Sequence, residues 1–290
     1  RFKSGPWRFF YVKQEIYTMY LTLALRRTVQ AIRKHPYLLA LLLFLQLLLA
    51  GSLFFVIFTY QTQLITEATA LLESPANVEQ NQATYEPTAN NPQALNNQQD
   101  ILKLYQHYTA LIQNLKLLLG WLAGILFIGS GILWLLSHRL LEEGVNAGKF
   151  LWRYLLSTII LLLPGVLGSY YSLKVLMVRQ TPELLGTTLR DIGMVFLISY
   201  YLLLVALALN PARSWKDSIR AWWKTAISVH KTIPLLLIND VIIGGLLALM
   251  LWKMWFWLLL PLLILVPLAR LFWISGVREI ADENSNTSLS

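Results

Sequence analysis

Residues 234–252, PLLLINDVIIGGLLALMLW, decide the fold class of this chain. About 20 apolar residues in a helix cross the hydrocarbon core of a bilayer, so the stretch predicts a transmembrane helix. Asn239 and Asp240 interrupt it near its middle. An ionised carboxylate inside a membrane is costly and marks a candidate functional position. The stretch therefore raises the question of what Asp240 contacts.

The rest of the chain contains five more apolar stretches of similar length, at residues 37–60, 115–136, 154–173, 192–209 and 254–274. Of the 290 residues, 56% are hydrophobic and only 13% are charged. The mean hydropathy of +0.54 is too high for a water-soluble domain. These features predict an all-α fold, a polytopic membrane bundle of about six transmembrane helices.

Lysine and arginine cluster on one side of these predicted helices. If the N-terminus is cytoplasmic, the inner side holds every basic residue except Lys103, Lys116, Lys174, Arg179, Arg190 and Lys253. The positive-inside rule then predicts that both termini are cytoplasmic, in a membrane such as the bacterial inner membrane. The net charge of +9 indicates this topology and attraction to anionic lipids, and it does not indicate nucleic-acid binding.

The predicted spans divide the chain into segments. We expect a basic amphipathic cytoplasmic segment at 1–36, an extracytoplasmic helical hairpin with a flexible tip at 61–114, and a cytoplasmic tail at 275–290. A long linker is the alternative for 61–114, because a segment of this polarity and size makes a poor independent domain. Polar residues recur every three or four positions at 138–153 and 213–230, within the bundle of 115–274, and predict interfacial helices there.

The basic inner helices predict contact with anionic lipid. Ser214 and Asp217 have capping-box spacing at the start of the last of these helices. Each basic side chain near an anionic surface contributes on the order of 1 kcal/mol to binding. The residues expected to do so are Arg26, Arg27, Arg33, Lys34, Lys216, Arg220 and Lys224.

An antiparallel hairpin of the last two spans suggests a partner for Asp240. If the chain turns near Lys253, Asp240 lies within one helical turn of Arg270. We therefore expect Asp240 and Arg270 to form an intramembrane ion pair, with Asn239 available to a neighbouring helix. Truncating one member of such a pair strands a charge, whereas replacing both restores much of the loss.

Short spacings of small residues predict close helix approach. Gly120 with Gly124, and Gly244 with Ala248, follow the small-xxx-small pattern. Packing within the bundle is the favoured interpretation, and dimerisation is the alternative.

Residues for catalysis are scarce. The chain has no Cys, and it lacks the HExxH, GxSxG, P-loop and GxGxxG motifs. His35, His138 and His230 lie near the predicted inner surface and could form a metal or proton site, although ordinary interfacial placement is favoured. We therefore expect a protein that is not an enzyme and needs no cofactor.

Two functional classes remain. The first is a non-catalytic integral membrane protein, a scaffold or accessory subunit of a membrane complex, contacting other membrane proteins through its outer hairpin and basic inner helices. The alternative is a small-solute or ion transporter or channel that uses Asp240 in the membrane.

Overall fold

A computed structural model describes residues 7–82, 92–142, 144–179, 182–253 and 256–286. Within these ranges the chain is helical and contains no strand. The helices are α1 (Trp7–Lys34), α2 (Pro36–Gln82), α3 (Pro92–Leu141), α4 (Ala147–Arg179), α5 (Pro182–Ala208), α6 (Trp215–Ile227), α7 (Val229–Lys253) and α8 (Leu259–Asn286). A short 3₁₀ turn, Phe256–Leu258, precedes α8.

Six of these helices are long and apolar enough to cross a membrane. The segments are Pro36–Leu71, Leu102–Leu141, Ala147–Gly168, Gly186–Ala208, Val229–Met250 and Leu259–Asn284. The prediction of an all-α protein with six membrane-spanning helices is therefore confirmed at the level of helix length and composition. A lipid-exposed helix satisfies its own backbone groups, which is why apolar length alone identifies it.

Local chemistry explains the helix boundaries. His35 separates α1 from α2 because Pro36 cannot donate a backbone hydrogen bond, and the His35 carbonyl accepts the N–H of Leu38 at 3.1 Å. Gly144 has a φ of 88°, a left-handed conformation that suits glycine. Together with Asn146, which caps α4 by accepting the N–H of Lys149 at 3.0 Å, it forms the turn after α3.

This turn changes one expectation from the sequence. Residues 138–153 do not form a separate interfacial helix, since α3 ends at Leu141 and α4 begins at Ala147 and continues as a span. The polar periodicity there belongs to the ends of two long helices. By contrast, α6 is a separate short helix, and its N-cap Ser214 accepts the N–H of Asp217 as the capping-box spacing predicts.

The chain divides into two compact units, Arg1–Gln46 with Gly131–Ser290, and Leu47–Ser130. In the second unit, α2 and α3 meet where His107 Nδ1 lies 2.6 Å from Glu67 Oε2. Many large apolar side chains of this unit are exposed, among them Phe54 and Phe58. The flexible tip was expected at residues 75–97, but 75–82 belong to α2 and 92–97 belong to α3, and residues 83–91 lie outside the described residues.

The core of the first unit surrounds the C-terminal half of α8. Leu271, Ile274, Val277 and Ile280 recur every three residues and are fully buried. This half of the helix packs with α1, α5, α6 and α7. A Cβ added at Gly276 would lie 2.7 Å from Leu235 Cδ1, so a larger residue here would force the buried Leu235 side chain to shift where α8 approaches α7.

The close approaches differ from those expected at the small-residue motifs. A Cβ added at Gly120, Gly124 or Gly244 meets no described atom within 4 Å. The tight positions among the described residues are instead Gly129, against Leu49, Gly131, against Tyr154, and Gly276, against Leu235. The motif spacing therefore does not mark packing contacts among the described residues.

Candidate functional site

The C-terminal end of α5 needs hydrogen-bond donors from other helices. The carbonyl of Leu207 would normally bond to the N–H four residues later, but that residue is Pro211. His138 Nε2 on α3 donates to this carbonyl at 2.7 Å, and Arg278 Nε on α8 donates to the carbonyl of Ala208 at 3.4 Å. Both side chains are buried. Two distant helices thus cap α5.

The protonation state of His138 follows from its two partners. A carbonyl can only accept, so Nε2 carries the hydrogen. A guanidinium can only donate, so Nδ1 accepts the hydrogen bond from Arg278 Nη2 at 2.5 Å. His138 is therefore neutral, and both ring nitrogens are engaged, so it offers neither a free metal ligand nor a free base.

The buried charge of Arg278 is balanced by Glu142. Arg278 Nη1 lies 2.8 Å from Glu142 Oε1. The same carboxylate accepts a hydrogen bond from Asn210 Nδ2 at 3.0 Å. His138, Arg278, Glu142 and Asn210, which we call the inner network, join the ends of α3 and α8 to the loop after α5. An ion pair with one buried member and further hydrogen bonds helps to hold the elements that it joins in one arrangement.

Three carboxylates near the end of α8 pair with cations from three different elements. Arg27 of α1 lies 2.7 Å from Glu279, Arg213 of the loop before α6 lies 2.5 Å from Asp282, and Lys231 of α7 lies 2.6 Å from Glu283. The last helix is thereby tied to the first helix, to a loop and to the preceding helix.

Tyr20 of α1 adds a further contact to this end of α8. Its hydroxyl donates a hydrogen bond to Glu283, and the Lys231 ammonium lies 5.5 Å from the centre of its ring. Burial, with the hydrogen bond to Glu283 and the charge of that carboxylate, raises the pKa of Tyr20 above its ordinary value. The tyrosine therefore stays protonated and keeps donating.

A polar cavity of about 300 Å³ lies between α1, the end of α3 and α8. The charged or titratable side chains that line it are Arg27, Lys34, His35, Glu142 and Arg278. His35 lines this cavity, whereas His138 does not. Among the described residues, no group of three His, Cys, Asp or Glu could hold a metal ion.

The structure does not bring Asp240 and Arg270 together as an ion pair. Asp240 is exposed on α7. The Arg270 guanidinium instead lies over the ring of Trp134, 5.7 Å from its centre. Its buried Nη1 has no hydrogen-bond partner among the described atoms. The side chain of Asn239 lies outside the described residues.

Helical geometry explains why the expected pair is not formed. The contact of Leu235 with Gly276 defines the face of α7 that packs on α8. Asp240 comes five residues later, about 140° around a helix of 3.6 residues per turn. Asp240 therefore lies off the face of α7 that contacts Gly276, although its depth is similar to that of Arg270. The antiparallel register predicts depth but not the direction of a side chain.

The predicted lipid-contacting residues lie at the surface of α1 and α6. Arg26, Arg33, Lys34, Lys216, Arg220 and Lys224 are exposed. Arg27 is half-exposed and already paired with Glu279. On α6 the basic residues at positions 216, 220 and 224 run beside a second exposed stripe of Trp215, Ile219, Trp223 and Ile227. Charged and apolar stripes thus face outward together.

The inner network was not predicted from the sequence. Its members come from positions as far apart as His138 and Arg278. The one signal in the sequence is Pro211, which removes a backbone donor at the end of an apolar helix and so indicates that a donor from elsewhere is needed. The arrangement as a whole joins the ends of α3, α5 and α8. Comparison with known proteins identifies no matching family model, curated protein or solved structure.

Proposed function

We propose that this chain is a non-catalytic integral membrane protein, a scaffold or accessory subunit of a membrane complex. The observation that carries this proposal is the exposed carboxylate of Asp240 on a membrane-spanning helix. A carboxylate facing lipid is costly, whereas the same group against a cation or donor of a partner helix is satisfied.

The surroundings of Asp240 support a protein partner. Leu237 and Val241, on either side of it, are 54% and 65% exposed. A broad apolar face with one central carboxylate resembles an interface with a polar centre more than a surface meant for lipid alone. We propose that this face of α7, defined by Leu237, Asp240, Val241 and Gly244, receives a transmembrane helix that carries a basic or hydrogen-bonding residue.

The inner network supports a structural role over a catalytic one. Its carboxylate, guanidinium and imidazole are all engaged with one another or with backbone carbonyls. A catalytic acid or base must reach a substrate proton. Because His138 has no free ring nitrogen, these groups serve to hold the helices of the first unit in place.

The inner surface supports an association with anionic lipid. The adjacent basic and apolar stripes of α6 match a helix that lies in the membrane interface. We propose that both termini are cytoplasmic, that the protein resides in a bacterial inner membrane, and that the segment 61–114 meets partners on the other side. The distribution of lysine and arginine supports this orientation.

A transporter or channel is the second candidate, and Arg270 favours it. This cation lies in a membrane-spanning segment, has no carboxylate partner among the described side chains, and has an unbonded Nη1. A buried cation of this kind attracts anions, so the solute would be anionic.

A photo-crosslinker at Val241 tests the main proposal in native membranes. We expect a protein adduct of one defined mass, which is lost in Asp240→Leu and retained in Asp191→Asn, an exposed acidic residue of α5. An adduct with lipid alone would contradict the proposal. The transporter alternative requires instead that the purified chain alone catalyse anion flux in liposomes and that Arg270→Met abolish it.

A further inference from the structure

Helices α4, α5 and α6 enclose an open groove in the first unit. Its volume is about 270 Å³. The walls are mostly apolar, and they include Tyr154, Leu156, Ile160, Leu161, Trp215 and Trp222. Pockets for drug-sized ligands hold about 300–1,000 Å³, so this groove suits one slender apolar chain and not a bulky molecule.

One end of the groove carries a cation, Arg153. Its Nη1 donates to the carbonyl of Pro211 at 2.9 Å and to Ser218 Oγ at 3.1 Å, and its Nη2 donates to the carbonyl of Arg213. The guanidinium also lies 5.2 Å from the centre of the Trp215 ring. Its buried Nε has no partner among the described atoms.

A second cation lies one turn earlier on α4. Lys149 Nζ donates to the carbonyl of Ala212 at 3.2 Å, in the same loop that Arg153 holds. Neither cation is paired with a carboxylate among the described side chains, unlike Arg27, Arg213 and Arg278. Arg153 in the groove wall and Lys149 beside it therefore form a pair of cations with no paired carboxylate among the described side chains.

The position of the groove along α4 defines its direction in the membrane. Arg153 lies near the start of the span Ala147–Gly168, whereas Ile160 and Leu161 lie further along it. A ligand in the groove would therefore keep its charged end at the membrane surface and its apolar part at hydrocarbon depth. That is the arrangement of a phospholipid.

We propose that the groove binds one acyl chain of an anionic phospholipid, whose phosphate lies against Lys149 and Arg153. An anionic headgroup complements the two cations, whereas a zwitterionic headgroup brings a cation of its own. The site is separate from the exposed face of α7 and does not depend on the protein partner proposed above. It shares Trp215 and Ile219 with the exposed apolar stripe of α6, but it holds the lipid between helices and not on the surface of one helix.

The test compares two photo-crosslinking positions in the full chain, reconstituted in phosphatidylcholine with a minority of phosphatidylglycerol. The first is Ile160, which lines the groove but is 62% exposed, so that the probe does not fill it. The second is the adjacent Ile159, which is 49% exposed and is not a groove residue. Mass spectrometry of the adducts gives the ratio of the two lipids at each position.

We expect phosphatidylglycerol at Ile160 to be enriched several-fold over its share of the bilayer, and at Ile159 to match that share. Lys149→Gln should remove the enrichment, and Lys149→Arg should preserve it. Ser157→Phe narrows the groove and should therefore lower the total lipid adduct at Ile160. Arg153 is left intact because it holds the loop. Equal ratios at the two positions, an unchanged ratio in Lys149→Gln, or a protein adduct at Ile160 would each overturn the proposal.

Discussion

Arg278 on α8 donates a hydrogen bond to Nδ1 of His138 on α3 at 2.5 Å, and this bond leaves Nε2 as the donor to the carbonyl of Leu207. One imidazole thereby connects a buried cation to the end of a third helix. The pairing makes His138 a structural residue in a position where the sequence alone also allowed a metal or proton site.

The first prediction concerns His138→Leu. The change leaves the Leu207 carbonyl and one Arg278 N–H without partners in a buried place, and each unsatisfied group costs about 1–3 kcal/mol. We expect the free energy of unfolding in mixed micelles to fall by about 2–4 kcal/mol. His230→Leu, at an exposed histidine, is the matched control and should change little. Equal stability of the two variants would contradict the capping role.

The second prediction concerns Gly276 and Leu235. Gly276→Ala adds a methyl group 2.7 Å from Leu235 Cδ1, and overpacking of this kind costs about 1–3 kcal/mol of unfolding free energy. Leu235→Ala makes room, so the double variant should lose less than the sum of the two single losses. Gly244→Ala, in open space on α7, should be neutral or stabilising because alanine favours helix. Strictly additive losses would show that α7 and α8 do not meet here.

The third prediction is a dependence on high pH through Tyr20. Its pKa is raised in the folded protein, so its contribution to stability is complete below the ordinary tyrosine pKa near 10 and is lost as the pH rises through the higher folded value. Across this alkaline range, wild-type stability should fall more steeply than that of Tyr20→Phe. The measurement is the free energy of chemical unfolding as a function of pH. Parallel curves for the two proteins would show that Tyr20 does not cause the loss, since the other tyrosines are common to both.

The fourth prediction distinguishes the structure from the ion pair expected from the sequence. Because no ion pair joins Asp240 and Arg270 among the described residues, Asp240→Leu and Arg270→Leu should have nearly additive effects on folded yield and unfolding free energy, within about 0.5 kcal/mol. Glu142→Gln with Arg278→Gln, at an ion pair 2.8 Å apart in which Arg278 is buried, is the positive control and should be clearly non-additive. A coupling energy between Asp240 and Arg270 as large as in the control would show that the two side chains do form an ion pair.

The fifth prediction tests the proposed orientation. Reporters fused after Ala89 and after Ser290 should respond on opposite sides of the membrane, the first outside and the second in the cytoplasm. Lysine and arginine near the spans favour the cytoplasmic side, which is the reason for this expectation. A cytoplasmic reporter at Ala89 would contradict it.

The sequence by itself determined the class of the protein and the location of its spans. Apolar length is a local property, and in lipid every helix must satisfy its own backbone groups, so stretches such as 37–60 and 234–252 identify helices without any tertiary contact. The N-cap at Ser214 was likewise predictable because its partner, the N–H of Asp217, is three residues away.

Tertiary structure alone decided which side chains meet. The contact of His138 with Arg278 joins residues 140 positions apart, and the direction of Asp240 depends on which face of α7 packs on α8. Hydropathy reports the depth of a residue in a span, but it does not report rotation about the helix axis. Rotation depends on packing, here on the contact of Leu235 with Gly276, and packing is a property of two helices and not of either one.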